Sequence, residues 1–270
     1  MPVTRVGGIN LCYNVRGNGQ PLIIINGFGG TQNALFALVR AFAKHHHVVT
    51  FDNRGCGYSS KPAGPYSMSM MADDTIGLMD FLNIDRAHFM GLSLGGMVAQ
   101  HIAIDHPHRV DKLILCNTCA GGQPLWDMLF GLAEATTPNW DRSQSDLASI
   151  NLQKLMCAMA SRSFNQPFNR LVLVQFAKLM VKLGKTKVPL GQLEAMTAHD
   201  VIDRLHLIQA PTLVLTGSRD RLIAPNSSEV LASHIKGAKL VIIDGGSHSV
   251  GAEMAGRFNK EVLAFLKGNS

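Results

Sequence analysis

The stretch His88-Phe89-Met90-Gly91-Leu92-Ser93-Leu94-Gly95-Gly96-Met97 decides the fold. Its first half, from His88 to Leu92, is a short run with the character of a buried strand, and residues from about Met97 to His106 read as a helix that Pro107 stops. Between them lies the pattern Gly91-Leu92-Ser93-Leu94-Gly95. A turn tight enough to join strand to helix packs its backbone too closely for a Cβ, so glycine is needed on both sides, and the serine oxygen is thrust out above the sheet. In a chain this long such a pattern arises by accident about once in six on average composition. Its place between strand and helix, with Gly96 as a further small residue for helix packing, is what gives it weight.

Outward from this turn, short strand-like runs alternate with amphipathic helical stretches, the pattern of a mainly parallel sheet wrapped by helices. Thr4 to Arg16 reads as a hairpin turned at Gly7 and Gly8, and Leu22 to Asn26 as a strand covered on both faces, being almost wholly apolar. A helix over Asn33 to Lys44, a strand over Val48 to Asp52, a helix over Met70 to Leu82 and a strand over Val110 to Cys116 complete the first part. The alternation breaks from about Gly121 to Asp200, where the chain is helical in pattern and rich in Met, Leu and Phe. Strand rhythm resumes at Thr212 to Gly217, followed by a helix near Ser227 to His234, the strand Lys239 to Ile243 and a last helix from about Glu253 to Lys267. The expected organisation is a core domain of residues 1–120 and 201–270, with a helical lid inserted at 121–200.

The 270 residues suffice to bury one full core, and 46% hydrophobic against 16% charged residues exclude a disordered chain. The net charge of +6 comes without any basic and aromatic stripe, so nucleic acid is not an expected partner. Lys178, Lys182, Lys185 and Lys187 read as the solvated side of a helix and its exit. No run reaches about 18 apolar residues and the N-terminus lacks a signal-peptide pattern, so a cytoplasmic protein without a membrane span is expected. The five cysteines, an odd number without a regular framework, read as buried free thiols. His45, His46 and His47 cannot all converge on one metal ion and read as a surface turn ahead of a strand.

A serine hydroxyl near neutral pH needs a base, and the base needs a group to orient it. His248 lies in Gly245-Gly246-Ser247-His248 after the last expected strand, and Asp220 in Gly217-Ser218-Arg219-Asp220 after the preceding one. Both loops leave the same edge of the sheet as Ser93. Taken singly, Ser93 could cap a helix, His248 could be an ordinary loop histidine and Asp220 a turn former. Asp244 competes for the acid's place, but it ends the strand that carries the histidine loop and is poorly set to face the imidazole from the side. Two backbone N–H groups suit a developing oxyanion: that of Leu94, at a helix N-terminus, and that of Phe28 in Asn26-Gly27-Phe28-Gly29-Gly30. A phosphate cradle is disfavoured, since no GxxxxGK[ST] follows.

The glycine-rich loop, the run Asp52-Asn53-Arg54-Gly55-Cys56-Gly57-Tyr58-Ser59, the GLSLGG turn, the GSRD and the GGSH together resemble the α/β-hydrolase family, and the order Ser, Asp, His is that family's order. Gly91 to Met97 and Leu115-Cys116-Asn117-Thr118 are similar to esterases and 3-oxoadipate enol-lactonases. The resemblance implies a mainly parallel eight-stranded sheet, a Ser93-His248-Asp220 triad, no metal or organic cofactor, and a small ester or lactone as substrate. Asn26 departs from the His that many members carry there, and the Asp52 to Ser59 run reads as a structural brace that ties Arg54 down locally. A serine at 93 counts against the family's Asp-dependent dehalogenases and epoxide hydrolases. The alternatives are a carbon–carbon hydrolase or enol-lactonase acting on a carboxylate-bearing substrate, and a hydrolase-fold receptor with little turnover. The apolar stock of the inserted stretch, Trp126, Phe130, Met156, Met159 and Phe164 among it, leads us to expect a mainly apolar substrate.

Overall fold

A computed structural model describes residues 1–122, 162 and 190–268. Eight strands, β1 Val3–Val6, β2 Ile9–Arg16, β3 Pro21–Ile25, β4 His47–Phe51, β5 Ala87–Leu92, β6 Val110–Cys116, β7 Thr212–Gly217 and β8 Lys239–Ile243, form one sheet. Their order across it is β1-β2-β4-β3-β5-β6-β7-β8. The six strands from β4 to β8 run parallel, and the hairpin of β1 and β2 joins them antiparallel through β4. The helices are α1 Phe36–Phe42, α2 Met68–Phe81, α3 Leu94–Asp105, α4 Leu190–Thr197, α5 Asn226–His234, α6 Val250–Glu253 and α7 Ala255–Lys267.

The twofold alternation of side chains along each strand divides the core into two layers. In β3, Ile23 and Ile25 face the layer formed with α2, α3 and α5, whereas Leu22 and Ile24 face the one formed with α1 and α7. β6 repeats this, with Leu113 and Leu115 on one face and Ile114 and Cys116 on the other. Because both faces are covered, the central strands read as continuous apolar runs. On α7, Phe258, Val262, Phe265 and Leu266 recur at helical spacing and are all buried.

Three local readings change. Helix α3 begins at Leu94, three residues before Met97, because Gly95 and Gly96 stay helical where they pack closely on β3 and Thr118. The last helix, α7, runs close to its expected span, but an unexpected short helix, α6, precedes it and is set off from it at Met254 (φ −125°, ψ 40°). Of the three histidines expected in a surface turn, His46 is buried with its ring edge-on to His88, and His47 opens β4. Cys12, Cys56, Cys116 and Cys119 are buried free thiols, as expected. Cys157, the four lysines from Lys178 to Lys187 and the apolar residues named for the inserted stretch lie outside the described residues. Among the described residues no helix is long and apolar enough to cross a membrane.

Candidate active site

β5, β6, β7 and β8 are consecutive parallel neighbours, so the loops carrying Ser93, Asn117, Asp220 and His248 leave one edge of the sheet in that order. Strands about 4.8 Å apart set β5 and β8 roughly 14 Å from each other, so groups on the outer loops must lean inward. The loop after β8 does so: the Arg219 N–H donates to the Gly246 carbonyl at 2.8 Å, and a Cβ on Gly217 would lie 2.7 Å from the Ser247 carbonyl oxygen.

Ser93 joins β5 to α3 with φ 54° and ψ −120°, and its side chain makes no capping bond to the helix. The turn is closed by near contact on both sides. A Cβ on Gly91 would strike the Gly95 carbonyl and come within 2.5 Å of Gly96 Cα, and one on Gly95 would strike the Ile25 carbonyl. The Ser93 N–H donates to the Cys116 carbonyl at 2.9 Å, tying the turn to the end of β6. Across from it stands the loop after β3, since a Cβ on Gly27 would lie 3.3 Å from Ser93 Cβ and 3.8 Å from its Oγ.

Asp220 and His248 are in direct contact, with Nδ1 2.8 Å from Oδ2. The carboxylate is buried, and each of its oxygens has partners. Oδ1 accepts the Leu222 and Ile223 N–H groups at 2.8 and 2.9 Å, and Oδ2 accepts the Asn117 side-chain amide at 2.9 Å. Burial works against ionisation here, but the facing imidazole, the Asn117 amide and the Ile223 N–H outweigh it and hold the Asp220 pKa below the usual carboxylate value. An anionic Asp220 facing Nδ1 favours the tautomer protonated there, which leaves Nε2 as an acceptor. The competing Asp244 is exposed and accepts a bond from Ser218 Oγ at 3.0 Å.

The loop Asn26 to Gly30 is braced from within and from outside. Asn26, standing where a histidine is common, accepts the Gly27 N–H at 2.8 Å and donates to the Thr31 carbonyl at 2.8 Å. The Gly30 N–H donates to the Gly27 carbonyl at 3.0 Å, and the Gly29 N–H to Gln192 Oε1 at 3.0 Å. The Phe28 N–H has no acceptor among the described residues, and that of Leu94, at the first position of α3, is one that a helix leaves without an internal partner. Behind the loop, Asp52 accepts the Gln32 and Tyr58 N–H groups at 2.7 and 2.9 Å, while Arg54 grips both oxygens of Asp74 at 2.6 and 2.7 Å.

This edge therefore gathers a serine hydroxyl, an imidazole held by a carboxylate, and two N–H groups open at a loop and a helix end. Such a set can activate a hydroxyl as nucleophile and stabilise an oxyanion. Asn117 and Gln192 had no assigned role in the sequence, and only the strand order and the return of the chain from the inserted stretch bring them here. Among the described residues no group of His, Cys, Asp and Glu could hold a metal ion.

Residues 20–253 match the sequence model of the alpha/beta hydrolase fold family. The chain is similar to a protein of Rhizobium rhizogenes provisionally named carbamate hydrolase RutD, at 31% identity over 94% of this chain and 95% of that protein. It is also similar to poly(3-hydroxyalkanoate) depolymerase of Ectopseudomonas oleovorans, at 34% identity over 84% of this chain and 77% of that one. In three dimensions it resembles the enol-lactonase from Burkholderia xenovorans LB400, with a TM-score of 0.81, 30% identity, and coverage of 98% of this chain and 100% of that chain. With a match that runs over most of its length, and with the sheet order and strand-end loops described above, the chain belongs to the α/β-hydrolase fold family.

Proposed function

We propose that the protein is a serine hydrolase that cleaves a carboxylic ester or lactone of small to medium, mainly apolar substrates through an acyl-enzyme on Ser93. The observation that carries this reading is the buried Asp220 carboxylate 2.8 Å from His248 Nδ1, on the same sheet edge as the turn that presents Ser93. His248 Nε2 takes the proton of Ser93 as Oγ attacks the carbonyl carbon, and the oxyanion is held by the Phe28 and Leu94 N–H groups. His248 then returns the proton to the leaving alcohol oxygen, whose bond to carbon breaks. Water, deprotonated by the same imidazole, releases the acid and restores Ser93. Asp220 orients the ring and stays ionised throughout. The stretch 121–200 would act as a lid over this edge.

Two of the similar proteins bear the names of enzymes that open lactones or polyesters, and the third that of a carbamate hydrolase, which supports an acyl bond as the point of attack. Arg54, whose carbonyl adjoins the loop through Gln192, already has its guanidinium paired with Asp74, so it is not available to greet a substrate anion. With the apolar stock of the inserted stretch, this favours neutral esters over carboxylate-bearing ones. A matched pair of substrates, one neutral and one ending in a carboxylate, tests this. The neutral member is expected to have at least about tenfold higher kcat/KM, equivalent to about 1.4 kcal/mol. Equal or greater activity on the anion would replace this reading with an enol-lactonase-like one, and an absence of turnover across esters, lactones and thioesters would leave a receptor.

A further inference from the structure

Gln192 lies on α4, in the last part of the 121–200 stretch before the chain returns to β7, and is completely buried. A carboxamide removed from water must match its carbonyl and its amide group alike. Here Oε1 accepts the Gly29 N–H at 3.0 Å, while Nε2 donates to the Arg54 carbonyl at 2.8 Å and lies 3.2 Å from Cys56 Sγ. One side chain thus joins α4, the loop after β3 and the turn after β4.

The geometry of that loop gives the bond its meaning. Of the four N–H groups from Gly27 to Gly30, three are engaged within the described residues: Gly27 by Asn26 Oδ1, Gly29 by Gln192 and Gly30 by the Gly27 carbonyl. Among the described residues only the Phe28 N–H of this loop has no acceptor. Because a peptide unit is planar, holding the Gly29 N–H fixes the plane that follows Phe28, and holding the Gly27 N–H fixes the plane before Gly27. The plane that carries the Phe28 N–H, which includes the Gly27 carbonyl, lies between these two anchors and is also held by the Gly30 N–H on that carbonyl. Asn26 supplies one of them from within the loop, whereas Gln192 supplies the other from 163 residues away.

We propose that Gln192 is a positioning residue for oxyanion stabilisation: through Gly29 it keeps the Phe28 N–H aimed at the oxygen that gains charge, and it makes that aim depend on α4 being docked. The inference rests on the oxyanion role proposed for Phe28. Gln192 touches no reacting atom, so its effect falls on the rate of the chemical step and not on ground-state binding.

The test uses the full chain in three forms: wild type, Gln192→Leu, which keeps volume but loses both polar functions, and Gln192→Glu. Labelling of Ser93 by a fluorophosphonate and turnover of p-nitrophenyl butyrate in the wild type come first. Gln192→Leu is expected to lower kcat by about 10- to 100-fold with KM within about threefold, and to weaken a trifluoromethyl ketone, which adds to the serine as an oxyanion, by the same factor. In Gln192→Glu the neutral acid can still accept from Gly29 and donate to the Arg54 carbonyl, whereas the carboxylate repels that carbonyl. Its kcat/KM is therefore expected to approach the wild-type value at low pH and to fall at a lower pH than any alkaline limb of the wild type. If Gln192→Leu does not fold, this profile alone decides. A Leu variant with unchanged kcat and only a lower melting temperature, or a Glu profile parallel to wild type, overturns the inference. A wild type that neither labels at Ser93 nor turns over any ester overturns the hydrolase reading, and this inference with it.

Discussion

Asn117 donates its side-chain amide to the Asp220 oxygen that faces His248, at 2.9 Å, from a backbone with φ 49°. Asparagine tolerates that left-handed conformation better than most residues, so the position selects for it twice, by backbone and by amide. Asn117→Ala is expected to lower stability by about 1–3 kcal/mol in urea titrations, since a bond to a buried charge is lost. It should also raise the Asp220 pKa, seen by carboxyl NMR as a titration nearer the ordinary value.

Ser93→Ala is expected to reduce kcat by about a million-fold while circular dichroism stays unchanged. Fluorophosphonate labelling, read by mass spectrometry, should disappear with it. A label that persists in this variant assigns the nucleophile elsewhere.

Asp220→Asn presents an amide to Nδ1 and favours the opposite tautomer, so kcat is expected to fall roughly ten-thousand-fold. Asp244→Asn disturbs only an exposed contact with Ser218 and should cost less than about threefold. Measuring kcat for both ranks the two carboxylates, and the reverse order would reject Asp220.

Acid should destabilise the fold in two windows. Burial first, with Lys112, Arg86 and His46 adding to it against Asp111, lowers His88 to about 4. The unfolded chain therefore binds that proton first, and the stability from keeping His88 neutral is present above about pH 6.5 and lost as pH falls towards about 4. Asp220 has a depressed pKa, so its contribution is present above the ordinary carboxylate value of about 3.9 and lost below it. Chemical denaturation from pH 7 to 4.5 should show a loss of about 2–4 kcal/mol from protonation of His88, absent in His88→Leu. That variant should keep its activity, because His88 pairs with Leu22 at the opposite edge of the sheet.

The strands and the Ser93, Asp220 and His248 loops were legible because they depend on local signals: apolar runs, paired glycines and a chain order. Asn117 and Gln192 were not, because their roles arise from which strand ends and returning segments become neighbours, and nothing adjacent in sequence marks an amide as a brace. His46 misled for a related reason. A polar triplet reads as exposed, but the turn into β4 places its middle residue against the ring of His88. The early start of α3 was hidden by two glycines, whose low helix propensity is overridden by close packing.

The backbone of Ser93 carries a consequence for how such a chain ages under selection. A residue with a β-carbon at φ 54° and ψ −120° costs roughly 1–3 kcal/mol, a penalty that glycine escapes. Ser93→Gly is accordingly expected to resist urea better than Ser93→Ala by about 1 kcal/mol, and both are expected to be inert. On the proposed function, stability and reactivity thus pull in opposite directions at one residue. A population screened for heat tolerance alone would gain by discarding the whole side chain, and on the proposed function it is demand for turnover that keeps a serine there.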